Sequence, residues 1–219
     1  MGSFPGAPRT LRGAIVAVDP RNPLSRIVLF GYNPDEVSRS LKPRGATPGH
    51  QAGPGDAHRI WGAPVETISM TVEIDATDQL EAGDPVAAVS GIAPQLSALE
   101  MLLYPSSSLV IANTALLLAG TIEILPPEGP LTVLVWGPGR AVPIHLDGLE
   151  ITEQAFAPTL VPIRASVAIS ATVLSYDDLP VADAGYALFL VNQVLKETLA
   201  TIGGVSGALS AIADLAGAG

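Results

Sequence analysis

One segment constrains the fold more than any other, because its side chains alternate between apolar and polar over residues 160–174. A second run, residues 66–75, repeats the pattern. Period-two alternation is typical of a β-strand with one buried face. At roughly 3.3 Å per residue the longer run would span about 50 Å, well beyond a typical strand. Such strands suit a barrel wall, or a sheet that continues into neighbouring subunits. The side chains expected on the buried faces are Val161, Ile163, Ala165, Val167, Ile169, Ala171 and Val173 in the first run, and Ile68, Met70, Val72 and Ile74 in the second.

Four shorter runs predict the rest of the sheet. Residues 14–18 and 27–32 are rich in β-formers and flank a Pro- and Asn-containing turn at 19–23, which predicts a hairpin. Residues 131–136 and 141–152 predict two more strands. In the second of these the alternation resets across Asp147 and Gly148, which indicates a β-bulge.

Helical patterns occupy two other places. Residues 95–104, between Pro94 and Pro105, place leucines at helical spacing, after a helical stretch that begins at Asp78. Residues 183–202 predict a C-terminal helix that ends at Gly203 and Gly204, followed by a short helix at 205–215. The expected fold is mainly β (α+β), an antiparallel β-barrel or sandwich with one internal helix and a C-terminal helical tail.

The expected organisation is an arm, one domain and an extension. Residues 1–10 form the arm, 11–176 the β domain and 177–219 the helical extension. Within the β domain, residues 43–64 are dense in Gly and Pro and predict a long loop. We expect this loop to order only against a neighbouring subunit or ring.

The composition narrows the function classes. Apolar residues make up 48% of the 219 residues and charged residues 15%, yet the net charge is −10. A chain this apolar is not disordered, and one this acidic is not a general nucleic-acid binder. Eight of the 11 basic residues but only four of the 21 acidic residues precede Ile60, so the chain carries +4 before this point and −14 after it. The absence of cysteine rules out disulfides and thiolate chemistry.

Candidate catalytic and metal-binding residues are few. Glu73, Asp75 and Asp78 lie close in sequence and could support acid–base hydrolysis, although solvated carboxylates are the default on a polar strand face. His50 and His58 with Asp56 lack a third soft ligand for a metal. His145 alternates with apolar neighbours and predicts a surface or interface position. No phosphate-binding or nucleophile motif occurs. We therefore predict no catalytic residues, cofactor or metal, with a hydrolase as the alternative.

Membrane insertion is not expected either. The most apolar stretch, residues 109–125, contains Asn113 and Glu123 and is short for a membrane span. No signal peptide is visible, which predicts assembly in the cytoplasm. A second alternative is membrane contact through the C-terminal helix at 186–215, although an interaction helix fits its sequence better.

Three blocks together resemble one family, the tube-like baseplate proteins of contractile injection systems, which are related to phage tail tube proteins. The first block, residues 12–42, has an aromatic-x-Asn-Pro turn followed by a Ser- and Arg-rich strand. The second, residues 62–78, is a loop exit and strand, and the third runs from a strand ending in Trp-Gly to a strand opening with Pro-x-Arg-Ala. The residues that carry the resemblance are Tyr32, Asn33, Pro34, Ser38, Arg39, Ser40, Trp136, Gly137, Pro162, Arg164 and Ala165.

The resemblance implies a structural role. Family members form hexameric rings with a polar lumen, which connect the spike hub to the inner tube and initiate tube assembly. The implied partners are further copies of the chain, the spike or hub protein, the inner tube protein and sheath-initiator proteins of the baseplate. Many relatives carry a LysM module, whereas residues 177–219 here are rich in Ala, Leu and Gly.

Overall fold

The computed structural model describes residues 12–19, 22–30, 33–45, 58–120, 129–137 and 139–217. They form a mixed α+β protein around one seven-stranded antiparallel sheet, with the strand order β2-β1-β5-β6-β7-β4-β3. The strands are β1 (Ala14–Asp19), β2 (Asn22–Leu29), β3 (Val37–Lys42), β4 (Val65–Asp75), β5 (Leu131–Val135), β6 (Ala141–Phe156) and β7 (Pro162–Val173). The helices are α1 (Thr77–Glu81), α2 (Pro85–Ser90), α3 (Ala93–Glu100), α4 (Ser107–Leu118) and α5 (Ala184–Gly217).

The two alternating runs become the centre of the sheet. β7 lies between β4 and β6, with Val72 opposite Val167 and Ile144 opposite Val173. The predicted apolar side chains of β4 are all buried, and in β7 every second residue from Ala165 to Val173 is buried. β7 begins two residues later than predicted, because Leu160 adopts a positive φ of 64° in the turn between β6 and β7.

The core forms where the apolar side chains of the strands meet the helices. α3 contributes Leu96 and Leu99, and α5 contributes Phe189. The N-terminal hairpin contributes Ile15 and Phe30 to the same cluster. The hairpin and the C-terminal helix are therefore both parts of the same packed unit as the central strands.

The predicted hairpin and bulge are confirmed, with shifted boundaries. β1 pairs with β2 from Ala14 opposite Leu29 to Asp19 opposite Asn22, so Asn22 belongs to a strand rather than to the turn. β2 ends before Phe30, whose backbone N–H donates to the Gly13 carbonyl oxygen at 2.9 Å. The register between β6 and β7 shifts between Leu146 and Gly148, where the sequence predicts the bulge.

The sheet is open. β2 and β3 are its end strands, and within the described ranges they do not pair with each other. The mainly β, α+β prediction holds at this level, whereas the described part of a single chain does not close into a barrel. Each open edge carries backbone groups that no other described strand pairs with, and such groups are a template for pairing with another strand.

The helices differ from the prediction in number and continuity. Four helices, not one, lie between β4 and β5 in the described residues. The sequence pattern misses α4 because this helix has apolar residues on all sides and no 3.6-residue periodicity to detect. α5 runs unbroken through Gly203 and Gly204, since a helical glycine costs only about 1 kcal/mol and no proline follows to stop the helix.

Candidate functional site: the motif corner, the sheet edges and the ion pairs

The first and third motif blocks meet at one corner of the sheet. The Asn33 side-chain oxygen accepts a hydrogen bond from the Gly13 backbone N–H at 2.9 Å. The Phe30 and Trp136 rings pack with their centroids 6.3 Å apart and tilted by 51°. A Cβ atom on Gly13 would lie 2.7 Å from the Phe30 ring and 2.8 Å from the Trp136 ring, so only glycine fits there.

A tight turn fixes the Trp136 end of this corner. The Trp136 backbone N–H donates to the Arg140 carbonyl oxygen at 2.7 Å. Gly137 and Gly139 have φ values of 72° and 78°, which favour glycine. Trp-Gly is therefore the start of the β5–β6 hairpin turn. We call the cluster of Gly13, Phe30, Asn33 and Trp136 the motif corner.

Of the two motif residues next to Asn33, the structure describes Pro34 but not Tyr32. Pro34 is half-buried and lines a groove on the polar face of the sheet. Tyr32 lies outside the described residues, so its predicted role stays a prediction. The corner thus rests on Asn33 from the first block and Trp136 from the third, with Gly13 and Phe30 as partners that the resemblance did not single out.

The Pro-x-Arg-Ala motif lies at the opposite end of the sheet from the motif corner. The register pairs Val173 at the far end of β7 with Ile144 near the start of β6, close to the Trp136 turn. Pro162 and Arg164 lie at the other end of β7. The predicted motif residues therefore form two separate groups.

The second group anchors the helices to β7. The Pro162 carbonyl oxygen accepts from the Ile92 N–H at 3.0 Å, and Ala165 is fully buried in the core. The Arg164 guanidinium contacts the Asp75 carboxylate, with an Nη2–Oδ2 distance of 2.5 Å. This motif therefore tethers the segment that follows β4 to the start of β7.

Asp75 is committed to this anchor. Burial alone would raise the pKa of its carboxyl group, but hydrogen bonds from the Thr77 hydroxyl and backbone N–H, together with Arg164, leave the pKa below its usual range. The other two candidate acids, Glu73 and Asp78, lie in different places. Glu73 lines the groove on the polar face of the sheet, and Asp78 belongs to α1. Of the three acids on which the hydrolase hypothesis depends, Asp75 is therefore already bound by Thr77 and Arg164.

A buried carboxylate that the sequence analysis missed joins three elements. Glu66 on β4 is 5% exposed, and its Oε1 atom lies 2.6 Å from Arg39 Nη2 on β3. Its Oε2 atom lies 3.3 Å from Lys196 Nζ on α5. The alternation of β4 could have revealed this residue, because Glu66 is even-numbered like Ile68 and the other buried residues of the strand and so lies on the same face. A charge on a buried face needs a partner.

A second network closes the base of the Gly- and Pro-rich loop. On one side, Arg44 donates from Nε to the Ala63 carbonyl oxygen at 2.8 Å and from Nη2 to Asp178 Oδ2 at 2.6 Å. On the other, the Ala63 N–H donates to Asp177 Oδ2 at 2.9 Å. The two ends of the loop are thus held together by the segment that precedes α5. Residues 46–57 lie outside the described residues, so the expectation that this loop orders only against a neighbouring subunit or ring stays a prediction.

The same network predicts a pH dependence. Burial alone would raise the pKa of Asp178, but hydrogen bonds from the Ser175 hydroxyl and N–H, and the Arg44 guanidinium, hold it below the ordinary value of 3.8. A carboxyl group with a lowered pKa stabilises the fold above its unfolded-state pKa, and this contribution is lost as the pH falls through the folded-state value. Asp178→Asn should therefore lower the free energy of unfolding at pH 7, and the difference from the wild type should shrink as the pH falls below 3.8, the ordinary value for Asp. Urea unfolding from pH 7 to pH 2.5 measures this. A difference that stays constant across this range would contradict it.

The polar face of the sheet forms a broad groove of about 1180 Å³. Small side chains of β7 form its floor, with Ala168 between Thr71 and Glu150 in the register. Acidic groups outnumber basic ones in the lining. Its charged residues are Arg12, Asp35, Glu36, Glu73 and Glu150.

The histidines do not converge on a site in the described part of the chain. His50 and Asp56 lie outside it, and His58 is exposed. Among the described residues, no three His, Asp or Glu side chains are grouped so as to hold a metal. His145 is exposed on β6, as its alternation predicts. None of the helices, over the residues searched, is long and apolar enough to cross a membrane.

Comparison with known proteins assigns no family to the chain. No protein-family model matches it, and no curated protein is significantly similar. The motif resemblance, the open sheet and the geometry of the motif corner are therefore the grounds for proposing a function.

Proposed function

We propose that this chain is a structural subunit of a contractile injection system. In this proposal six copies form a ring between the spike hub and the inner tube, and the ring initiates tube assembly. The partners are further copies, the hub protein and the inner tube protein, with sheath-initiator proteins nearby. Assembly takes place in the cytoplasm.

The observation that carries the proposal is the open sheet. Among the described residues, no strand pairs with the outer edges of β2 and β3, and such edges are stable in solution only when blunted or covered. β2 also exposes Ile27 and Leu29 on the face away from Val28, at 57% and 61%. A ring of identical subunits would cover both edges, because the β2 end of one copy can meet the β3 end of the next.

Two further features support the same role. The motif corner joins the first and third motif blocks into one packed unit, as expected if both belong to one conserved tube-like scaffold rather than to chance matches. The groove is wide and open, and four of its five charged lining residues are acidic, which suits the lumen wall of a ring better than a closed substrate pocket.

The direct test is electron microscopy of the purified protein and of the particle that contains it. We expect a six-fold ring of inner-tube diameter at the baseplate. A chain that stays monomeric at high concentration and is absent from every such particle would contradict the proposal.

A charge on the β2 edge should block the ring without unfolding the subunit. Ile27→Lys and Leu29→Lys place a cation on an exposed apolar edge, a device that natural edge strands use against pairing. We expect each variant to remain folded by circular dichroism and to be monomeric by light scattering. Val89→Lys is the matched control, since Val89 is 78% exposed and belongs to α2 rather than to either edge strand. Rings of normal size from the β2 variants would exclude this edge from the interface.

A further inference from the structure

The connection between β4 and β5 contains a helix that no other described element of its own subunit covers. Residues 101–122 include no charged side chain, and α4 has no buried residue. Its most exposed large apolar side chains are Ile111 at 68% and Leu118 at 86%. A helix that is apolar on all sides is normally buried. α4 therefore needs a partner surface outside the described part of its own chain.

The middle of α5 exposes an apolar stripe. Helical spacing places Val191, Val194 and Ile202 on one side, and these residues are 60–67% exposed. The described buried residues of α5, Gly185, Phe189 and Asn192, lie on a different side, toward the sheet. Residues 197–204 are all exposed, so the described part of the sheet does not cover this stretch of α5.

We propose that α4 of one copy packs on the exposed stripe of α5 in the neighbouring copy. This inference rests on the proposed ring in taking a second copy of the chain as the partner. Each chain carries one α4 and one α5 stripe, so a head-to-tail contact uses both on every subunit, and it forms a ring when the rotation between neighbouring copies closes. Pairing of α4 with α4 would leave every α5 stripe uncovered.

The helix contact alone would be small. α4 has 12 residues, so it is about 18 Å long, and at about 10 Å in width one side of it presents about 300 Å². A comparable stripe on α5 brings the buried total to about 600 Å², below the roughly 1,200 Å² at the lower end of stable interfaces. The helix contact would thus add to pairing at the sheet edges rather than hold the ring alone.

A lipid surface fits these helices less well than a second copy. Helices that lie on membranes carry Lys and Arg on a polar face, and anionic lipids attract such cations. α4 has no charged residue, and the chain as a whole carries −10. Membrane binding is therefore an alternative outcome that the test must detect.

Cysteine cross-linking tests the contact cleanly, because the chain has no cysteine of its own. Chains that carry Ile111→Cys are mixed with chains that carry Ile202→Cys, and the mixture is dissociated, reassembled and oxidised. A second mixture, of Leu118→Cys with Val194→Cys, tests a different alignment of α4 along α5. We expect disulfide-linked dimers in the mixtures and none from any single variant. Val89→Cys mixed with Ile202→Cys is the control and should not cross-link.

Each other outcome overturns the contact and also reports on the ring. A ring by light scattering without mixed cross-links means that the helix contact is wrong while the ring stands. A monomer without cross-links means that both are wrong. Cross-linking of Ile111→Cys alone would show that α4 packs on α4. Lipid would be shown to cover α4 if the Ile111→Cys chain floats with phosphatidylcholine–phosphatidylglycerol vesicles and its cysteine is then protected from a maleimide.

Charge substitution gives an independent readout that does not depend on register. Ile111→Glu and Leu118→Glu should weaken self-association at least tenfold and leave the circular dichroism spectrum of the subunit unchanged, since α4 contributes no buried residue. Val89→Glu adds the same charge at an exposed valine and should have no effect. Unchanged association of both α4 variants would overturn the contact.

Discussion

Gly91→Ala is expected to destabilise the subunit by about 3 kcal/mol or more. Gly91 has a φ of 54° and a ψ of −128°, a conformation that L-residues avoid. A Cβ atom there would lie 2.1 Å from the Pro162 carbonyl oxygen, which is backbone and cannot rotate away. The displacement would also break the hydrogen bond from the Ile92 N–H to that oxygen. Urea unfolding followed by circular dichroism measures the loss.

Gly83→Ala is the matched control for this prediction. Gly83 also has a positive φ, 72°, but no neighbouring atom lies within 4 Å of the position of its Cβ. Its substitution should cost about 1 kcal/mol, from backbone strain alone. Equal losses at the two glycines would mean that the close approach of α3 to the start of β7 is absent in solution.

Phe30→Ala should cost about 3–5 kcal/mol, because it leaves a cavity in the motif corner. Phe30 is 1% exposed and packs against Trp136. The loss should also free the Trp136 ring, so we expect a red-shifted tryptophan fluorescence spectrum under native conditions. Chemical denaturation with fluorescence detection measures both effects.

Phe156→Ala provides the comparison for the motif corner. Phe156 lies at the end of β6 and is 48% exposed, so removal of its ring should cost only about 1 kcal/mol. A small loss at Phe30 as well would show that the N-terminal hairpin does not pack on the Trp136 turn. The resemblance of the first and third blocks would then lose its structural support.

The charge pattern has a different meaning in three dimensions than along the chain. The sequence separates a basic segment from an acidic one, which suggests two unlike faces on a ring. In the structure, Arg39 from the basic segment pairs with Glu66, and Arg44 pairs with Asp178. These basic residues neutralise acids of the other segment within one subunit. The segregation of charge along the chain therefore serves in part to hold distant elements together.

Local patterns account for the features that were predictable. Alternation identified β4 and β7, and a change of its phase identified the bulge in β6, because both depend only on which face of a strand is buried. The same reasoning should have found Glu66, which shares the phase of the buried face. It could not have found Lys196 as a partner, since nothing local relates β4 to the C-terminal helix.

The sequence by itself determined six of the seven described strands, the hairpin, the bulge and the helical C-terminus, since each follows from side chains a few residues apart, whereas β3 was expected only from the resemblance. Only the tertiary structure decided that the described strands form an open sheet, that Asn33 and Trp136 meet at Gly13, and that α4 has no buried residue. Strand order and helix burial depend on contacts between residues far apart in the chain. Periodicity indicates which side of an element is apolar, but it does not indicate which other element will cover that side.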